Sequence, residues 1–160
     1  MARWLLALST GLPPPGRSGA DSTADITLRG HSRALLLFLD PPQDPEDGYR
    51  WIRMAAAVES IPLTASAGTY TTVADLEMFC QDLAEVMATL SGAANLEALD
   101  GGCEISVELG PSGRGTISGS IGEMSDDGFV VKFAIATDLT FLREPMTELK
   151  AWLNHHAGPV

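Results

Sequence analysis

The chain has 160 residues, 45 % of them apolar, and sets 10 basic against 21 acidic side chains for a formal net charge of −11. That length suits one domain, and the apolar share is too high for a disordered chain. The charge opposes nucleic acid and anionic membranes, whose phosphates are gripped by Lys and Arg. The same field keeps a protein soluble and speeds its encounter with a basic partner.

Residues 1–22 are rich in Pro, Gly, Ser and Ala from Ser9 onward and read as a disordered N-terminal extension. Ordering them would cost backbone entropy that few large side chains offset. The opening Met-Ala-Arg-Trp-Leu-Leu-Ala-Leu faintly resembles a signal peptide, but its apolar stretch is short, Pro13-Pro14-Pro15 follows, and no A-x-A site closes it. No apolar run approaches the roughly 18 residues of a membrane span. One folded unit is expected over residues 23–154, with 155–160 as a frayed tail.

Along that unit the period is first two. Ile26 and Leu28 alternate with Thr27 and Arg29, Gly30-His31 turns the chain, and Ala34–Leu39 is a dense apolar run of strand length. Asp40–Gly48 holds prolines and acids that neither helix nor sheet tolerates. Tyr49–Ser60 resumes as a strand, with Ile52, Met54, Ala56 and Val58 on one face, and Ile61–Thr71 continues extended.

The period then becomes helical. Leu76, Phe79, Cys80, Leu83, Val86, Met87 and Leu90 form one stripe, with Thr72 and Asp75 as a reciprocal N-cap and Gly92 as the expected stop. A meander follows: Cys103, Ile105, Val107 and Leu109 alternate with polar residues, Gly110-Pro111-Ser112-Gly113 turns, and Thr116–Ile121 is a strand. The glycines of that strand favour close packing or a bulge. Asp127-Gly128 is a hairpin signal leading to Phe129, Val131, Phe133 and Ile135. A last helix from Thr140 or Phe141 puts Leu142, Met146, Leu149, Trp152 and Leu153 on one side, with Pro145 in its first turn or at a kink. Clustered strands around two amphipathic helices define an α+β fold with an antiparallel sheet of about seven or eight strands, ordered four strands, helix, three or four strands, helix.

Catalytic signatures are missing from this pattern. His31 lies in a turn, and His155 and His156 follow the last helix, without the HExxH spacing of a metal site. No G-x-S-x-G elbow exists, and neither Cys80 nor Cys103 has an electropositive setting that would favour a thiolate. Without a CxxC pair, both cysteines read as buried free thiols of a reducing cytoplasm. Gly113-Arg114-Gly115 lacks the Walker lysine and reads as turn geometry. Acids grouped in loops, such as Asp126-Asp127, are hydrated and poorly placed for acid–base work. No catalytic residue, metal or cofactor is therefore expected.

Certain segments carry a family likeness. They are Tyr49-Arg50-Trp51, the helix opening Val73-Ala74-Asp75-Leu76 and closing Leu90-Ser91-Gly92, Leu96-Glu97-Ala98-Leu99-Asp100, the hairpin closed at Gly113, and Thr137-Asp138-Leu139-Thr140-Phe141-Leu142. Over residues 25–154 the pattern resembles the WapI-like immunity proteins found beside polymorphic toxins in bacteria. The resemblance implies a cytoplasmic protein that binds and neutralises a toxin domain, often a nuclease, without catalysis of its own. It marks no interface residue. The charges best placed to steer a basic toxin are then Asp44, Glu46 and Asp47, Asp126 and Asp127 in loops, and Asp82 and Glu85 on the polar face of the first helix. The alternatives are a small-molecule-binding module and a domain with no toxin partner.

Overall fold

The computed structural model describes residues 24–43, 49–60, 63–122, 128 and 130–156. Within them the elements run β1 (Ala24–Arg29), β2 (Ala34–Leu39), β3 (Trp51–Ser60), β4 (Leu63–Thr72), α1 (Val73–Thr89), β5 (Ala93–Glu97), β6 (Cys103–Leu109), β7 (Arg114–Gly122), β8 (Val130–Asp138) and α2 (Leu139–His156). The fold is α+β, as the clustering of strands requires. Its eight strands divide into two antiparallel four-stranded meanders, β1-β2-β3-β4 and β5-β6-β7-β8.

Each meander ends in a helix, and each helix crosses to the other meander. α1 packs on β5, the first strand of the second sheet, and α2 packs on β1, the first strand of the first, while the helices also touch each other. Turns reciprocate in the same way. The turn after β5 docks on β4, where the Leu99 N–H donates to the Tyr70 carbonyl at 3.1 Å and the Thr69 hydroxyl donates to the Asp100 carboxylate. The turn after β1 docks on β8, where the Thr137 hydroxyl donates to the Arg29 carbonyl at 2.7 Å and the His31 N–H points at the Ala136 carbonyl at 3.4 Å. The two halves thus clasp one another about an approximate two-fold relation.

Local chemistry explains the element ends. The Thr72 hydroxyl accepts from the Asp75 N–H at 3.1 Å and donates to the Asp75 carboxylate at 2.7 Å, which satisfies a free donor of the first turn of α1. The stop comes earlier than Gly92: Leu90 takes the left-handed conformation, φ 53°, and its N–H reaches the Val86 carbonyl at 2.9 Å. Gly92 follows at φ 90°. Leu90 bears that conformation because its side chain packs against the core. α2 begins at Leu139, with the Asp138 carboxylate accepting from the Thr140 N–H at 2.8 Å. Pro145 therefore falls in the second turn rather than the first, leaving the Phe141 carbonyl without its usual helical donor. α2 reaches His156, whose ring lies 4.7 Å from Trp152, so the first two residues of the expected tail are helical.

One core joins all parts. Leu28, Leu37 and Met54 from the first sheet meet Phe79 and Leu83 of α1, Ile105 and Ile117 of the second sheet, and Leu149 and Trp152 of α2. At roughly 1.5–3 kcal/mol for each large side chain, this burial outweighs any single polar contact. Glycines let the β6–β7 strands approach: a Cβ at Gly119 would sit 1.9 Å from the Glu104 carbonyl oxygen and one at Gly115 1.8 Å from that of Glu108.

Candidate functional site

Because one side of each sheet faces the common core, the strand register fixes what the other side shows. On the second sheet the outward row Glu97, Glu104, Ser120, Lys132 crosses all four strands, beside a row of Asn95, Ser106, Ser118 and Ala134. Glu108 lies in the next row, opposite Ala93 and Thr116. Glu97, Glu104 and Glu108 are exposed, and Glu97 and Glu104 stand directly opposite each other. A like-charge pair in that position costs about 0.2–1 kcal/mol. The β5–β6 side of this face is wet and acidic.

The first sheet is built the same way and dressed differently. Its outward rows are Thr27, Leu36, Ala57, Ser66 and Asp25, Phe38, Ala55, Gly68, flanked by Arg29 and Glu59 at one end and by Asp40, Arg53 and Tyr70 at the other. Ala57 is buried yet lies outside the contiguous core, as an outward position should. Tyr70 is 51 % exposed.

A third feature is an open groove of about 350 Å³ between the helices, lined by Glu77, Cys80, Gln81 and Ala84 of α1 and by Lys150, Leu153 and Asn154 of α2. Burial pushes the Cys80 thiol above its ordinary pKa, against the opposing pull of the Lys150 charge. Its sulfur contacts Met146 Sδ at 3.6 Å. Cys103, under the second sheet, is pushed up to about 12 by burial first and then by the Asp100 and Glu104 charges. Both thiols are free and buried, the condition expected of structural cysteines. Elsewhere His31 lies 4.0 Å from Asp138 and edge-on to Phe141 at 5.3 Å, which ties the first turn to the start of α2. Hydrogen bonds from Thr140 hold the Asp138 carboxyl below its ordinary range.

Of the steering charges expected from sequence, Glu85 is exposed on α1 and Asp82 beside it is half-buried. Asp44, Glu46, Asp47, Asp126 and Asp127 lie outside the described residues. In the sequence Glu104 and Glu108 are only the polar positions that alternate with Cys103, Ile105, Val107 and Leu109, and nothing local shows Glu97 meeting Glu104. That pairing needs the register of β5, a strand whose Ala93-Ala94-Asn95 start gives little periodic signal.

Together these features define a two-sheet α+β domain with a mixed outward face on the first sheet and an acidic β5–β6 margin on the second. The chain belongs to the WapI-like immunity protein family, whose model matches residues 20–156. Comparison with curated proteins and with solved structures gave no match. Among the described residues, no helix is long and apolar enough to cross a membrane.

Proposed function

We propose that this chain is a non-catalytic immunity protein of the bacterial cytoplasm, which binds a cognate toxin domain and neutralises it by covering its working surface. Family membership over residues 20–156 is the observation that carries this reading. The exposed acids agree with it: a basic toxin, such as a nuclease, is attracted by a chain of net charge −11. Nucleic acid and membranes are poor partners for the same reason. Glu97, Glu104 and Glu108 join Asp82 and Glu85 as steering charges, alongside the acids Asp44, Glu46, Asp47, Asp126 and Asp127 expected from the sequence.

Co-expression with each candidate toxin domain found in the neighbouring genes tests the reading. Growth should be restored, and the association rate of the purified pair should fall steeply with salt, because rim charges act mainly on encounter. Replacing one acid group at a time with Asn or Gln should slow association without lowering the melting temperature. If this chain protects against none of them, the immunity reading fails. The groove between α1 and α2 favours a second reading, a small-molecule site. A metabolite that raised the melting temperature, and lost that effect on Lys150→Ala, would support it.

A further inference from the structure

The corner where β4 meets the turn after β5 carries two exposed apolar side chains beside the acidic row. At the end of β4, Thr69 and Thr71 are buried, and Tyr70 between them is 51 % exposed. At the end of β5, Leu96 and Ala98 are buried, while Glu97 and Leu99 are exposed, Leu99 by 54 %. This alternation turns Tyr70, Glu97 and Leu99 away from the core. The Leu99 N–H donates to the Tyr70 carbonyl at 3.1 Å, so the row Arg53–Tyr70 of the first sheet runs on into Leu99. The row Glu97–Glu104 of the second sheet begins two residues before it.

A single exposed apolar side chain is ordinary, whereas two in backbone contact, one of them a tyrosine, have the composition of a binding centre. The corner is also held still. The Ala98 N–H donates to the Cys103 carbonyl at 2.8 Å, the Gly102 N–H donates to the Asp100 carboxylate at 3.0 Å, and the Thr69 hydroxyl donates to the same carboxylate oxygen. A surface ordered beforehand loses little freedom on binding. Glu97 and Glu104 repel each other across the strands, and a cation set between them would turn that repulsion into attraction.

We infer that this corner docks a basic protein surface which, resting on the immunity reading, is that of the toxin domain. Tyr70 and Leu99 fill an apolar socket on the partner, and Glu97 and Glu104 receive the Lys or Arg side chains beside it. Charge selects this occupant. A second copy docked here would bring two Glu97–Glu104 pairs together on chains of net charge −11, and a nucleic acid or an anionic membrane would meet the same repulsion. Arg53, across from Tyr70, stands beside Asp40, whose charge offsets its own, so the attraction comes from the Glu97–Glu104 side and fixes the partner's orientation.

Two probes test the corner. The first is a synthetic peptide of alternating Lys and Leu, titrated into the isotope-labelled full chain and followed by NMR. Amide signals of Tyr70, Glu97, Leu99 and Glu104 should move, and they should stay still for the variant carrying Tyr70→Thr with Leu99→Ser and for a peptide of alternating Glu and Leu. The second probe is the toxin domain against which this chain protects. Tyr70→Thr with Leu99→Ser should speed its dissociation by at least roughly tenfold, while Tyr70→Phe should bind nearly as the parent does. Glu97→Gln with Glu104→Gln should instead slow association, most at low salt. Lys150→Ala, in the groove between the helices, should change neither rate, and no variant should lower the melting temperature. Peptide shifts confined to that groove, no shift at all, or toxin dissociation indifferent to Tyr70→Thr with Leu99→Ser would overturn the inference and leave the immunity reading standing. A chain that protects against no toxin would remove the immunity reading, and the peptide titration would still decide whether the corner takes a basic partner.

Discussion

The two sheets share a topology and differ in how they use glycine and charge. In the second sheet, Gly115 and Gly119 sit where a side chain would strike the neighbouring strand's carbonyl, so glycine there serves the fold. In the first, a Cβ at Gly68 would meet nothing within 4 Å among the described residues. The second sheet sets Glu97 against Glu104 in open water, at a cost to itself, whereas the first lays Leu36 beside Ala57 on its outer side. Twice the same architecture appears, and each copy carries one feature that internal stability does not explain. Unexplained features of this kind belong to surfaces that meet other molecules.

The contrast between the glycines gives the largest expected effect. Gly119→Ala pushes a methyl into the Glu104 carbonyl, and neither strand can move without opening the β6–β7 ladder. A loss of about 3 kcal/mol is expected in urea unfolding. Gly68→Thr makes the opposite case, since the added side chain meets nothing and threonine suits strands. Its stability should rise by up to about 1 kcal/mol. Equal losses at both positions would erase the distinction between the sheets.

How much of this was legible in the sequence depends on the range of the interaction. The stripe from Leu76 to Val86 and the alternation from Cys103 to Leu109 are local, and they placed α1 and β6 closely. The Thr72–Asp75 cap was visible for the same reason. Gly92 looked like the helix stop because glycine accepts positive φ, yet Leu90 took that role through core packing, which no local rule sees. The docking of the two sheets on each other uses Thr137 reaching Arg29 and Thr69 reaching Asp100 across the molecule, contacts with no sequence signature. The acidic row was hidden likewise, because Glu97 meets Glu104 only once β5 is in register.

Cys103 provides a probe of the second sheet that the first lacks. Burial raises its pKa from the ordinary 9.0 to about 12 in the folded chain. A thiol whose folded pKa exceeds its unfolded value stabilises the fold fully below the unfolded value, and that contribution is lost as pH rises toward the folded one. Stability should therefore decline between pH 9.0 and about 12. Cys103→Ser should flatten that decline while lowering the plateau at neutral pH. A pH profile unchanged by the substitution would mean that the thiol is reached by water in the folded state.

The smallest effect is the most informative about function. Glu97 and Glu104 face each other across β5 and β6 with both side chains exposed. Replacing Glu104 with Gln removes the repulsion and keeps the shape, so stability should rise, by about 0.2–1 kcal/mol. Glu104→Lys should raise it slightly further by turning repulsion into attraction, with exposure limiting the gain to the low end of that range. If the acidic face steers a basic toxin, the same substitutions should slow association in the order Lys more than Gln, most at low salt where screening is weakest. Stability and binding then move in opposite directions at one residue, a trade that a purely solvated face would not show. Measured together by urea unfolding and stopped-flow association, a gain in stability with no change in rate would leave Glu97 and Glu104 as ordinary surface charges. The steering role would then fall to Asp82 and Glu85 on α1.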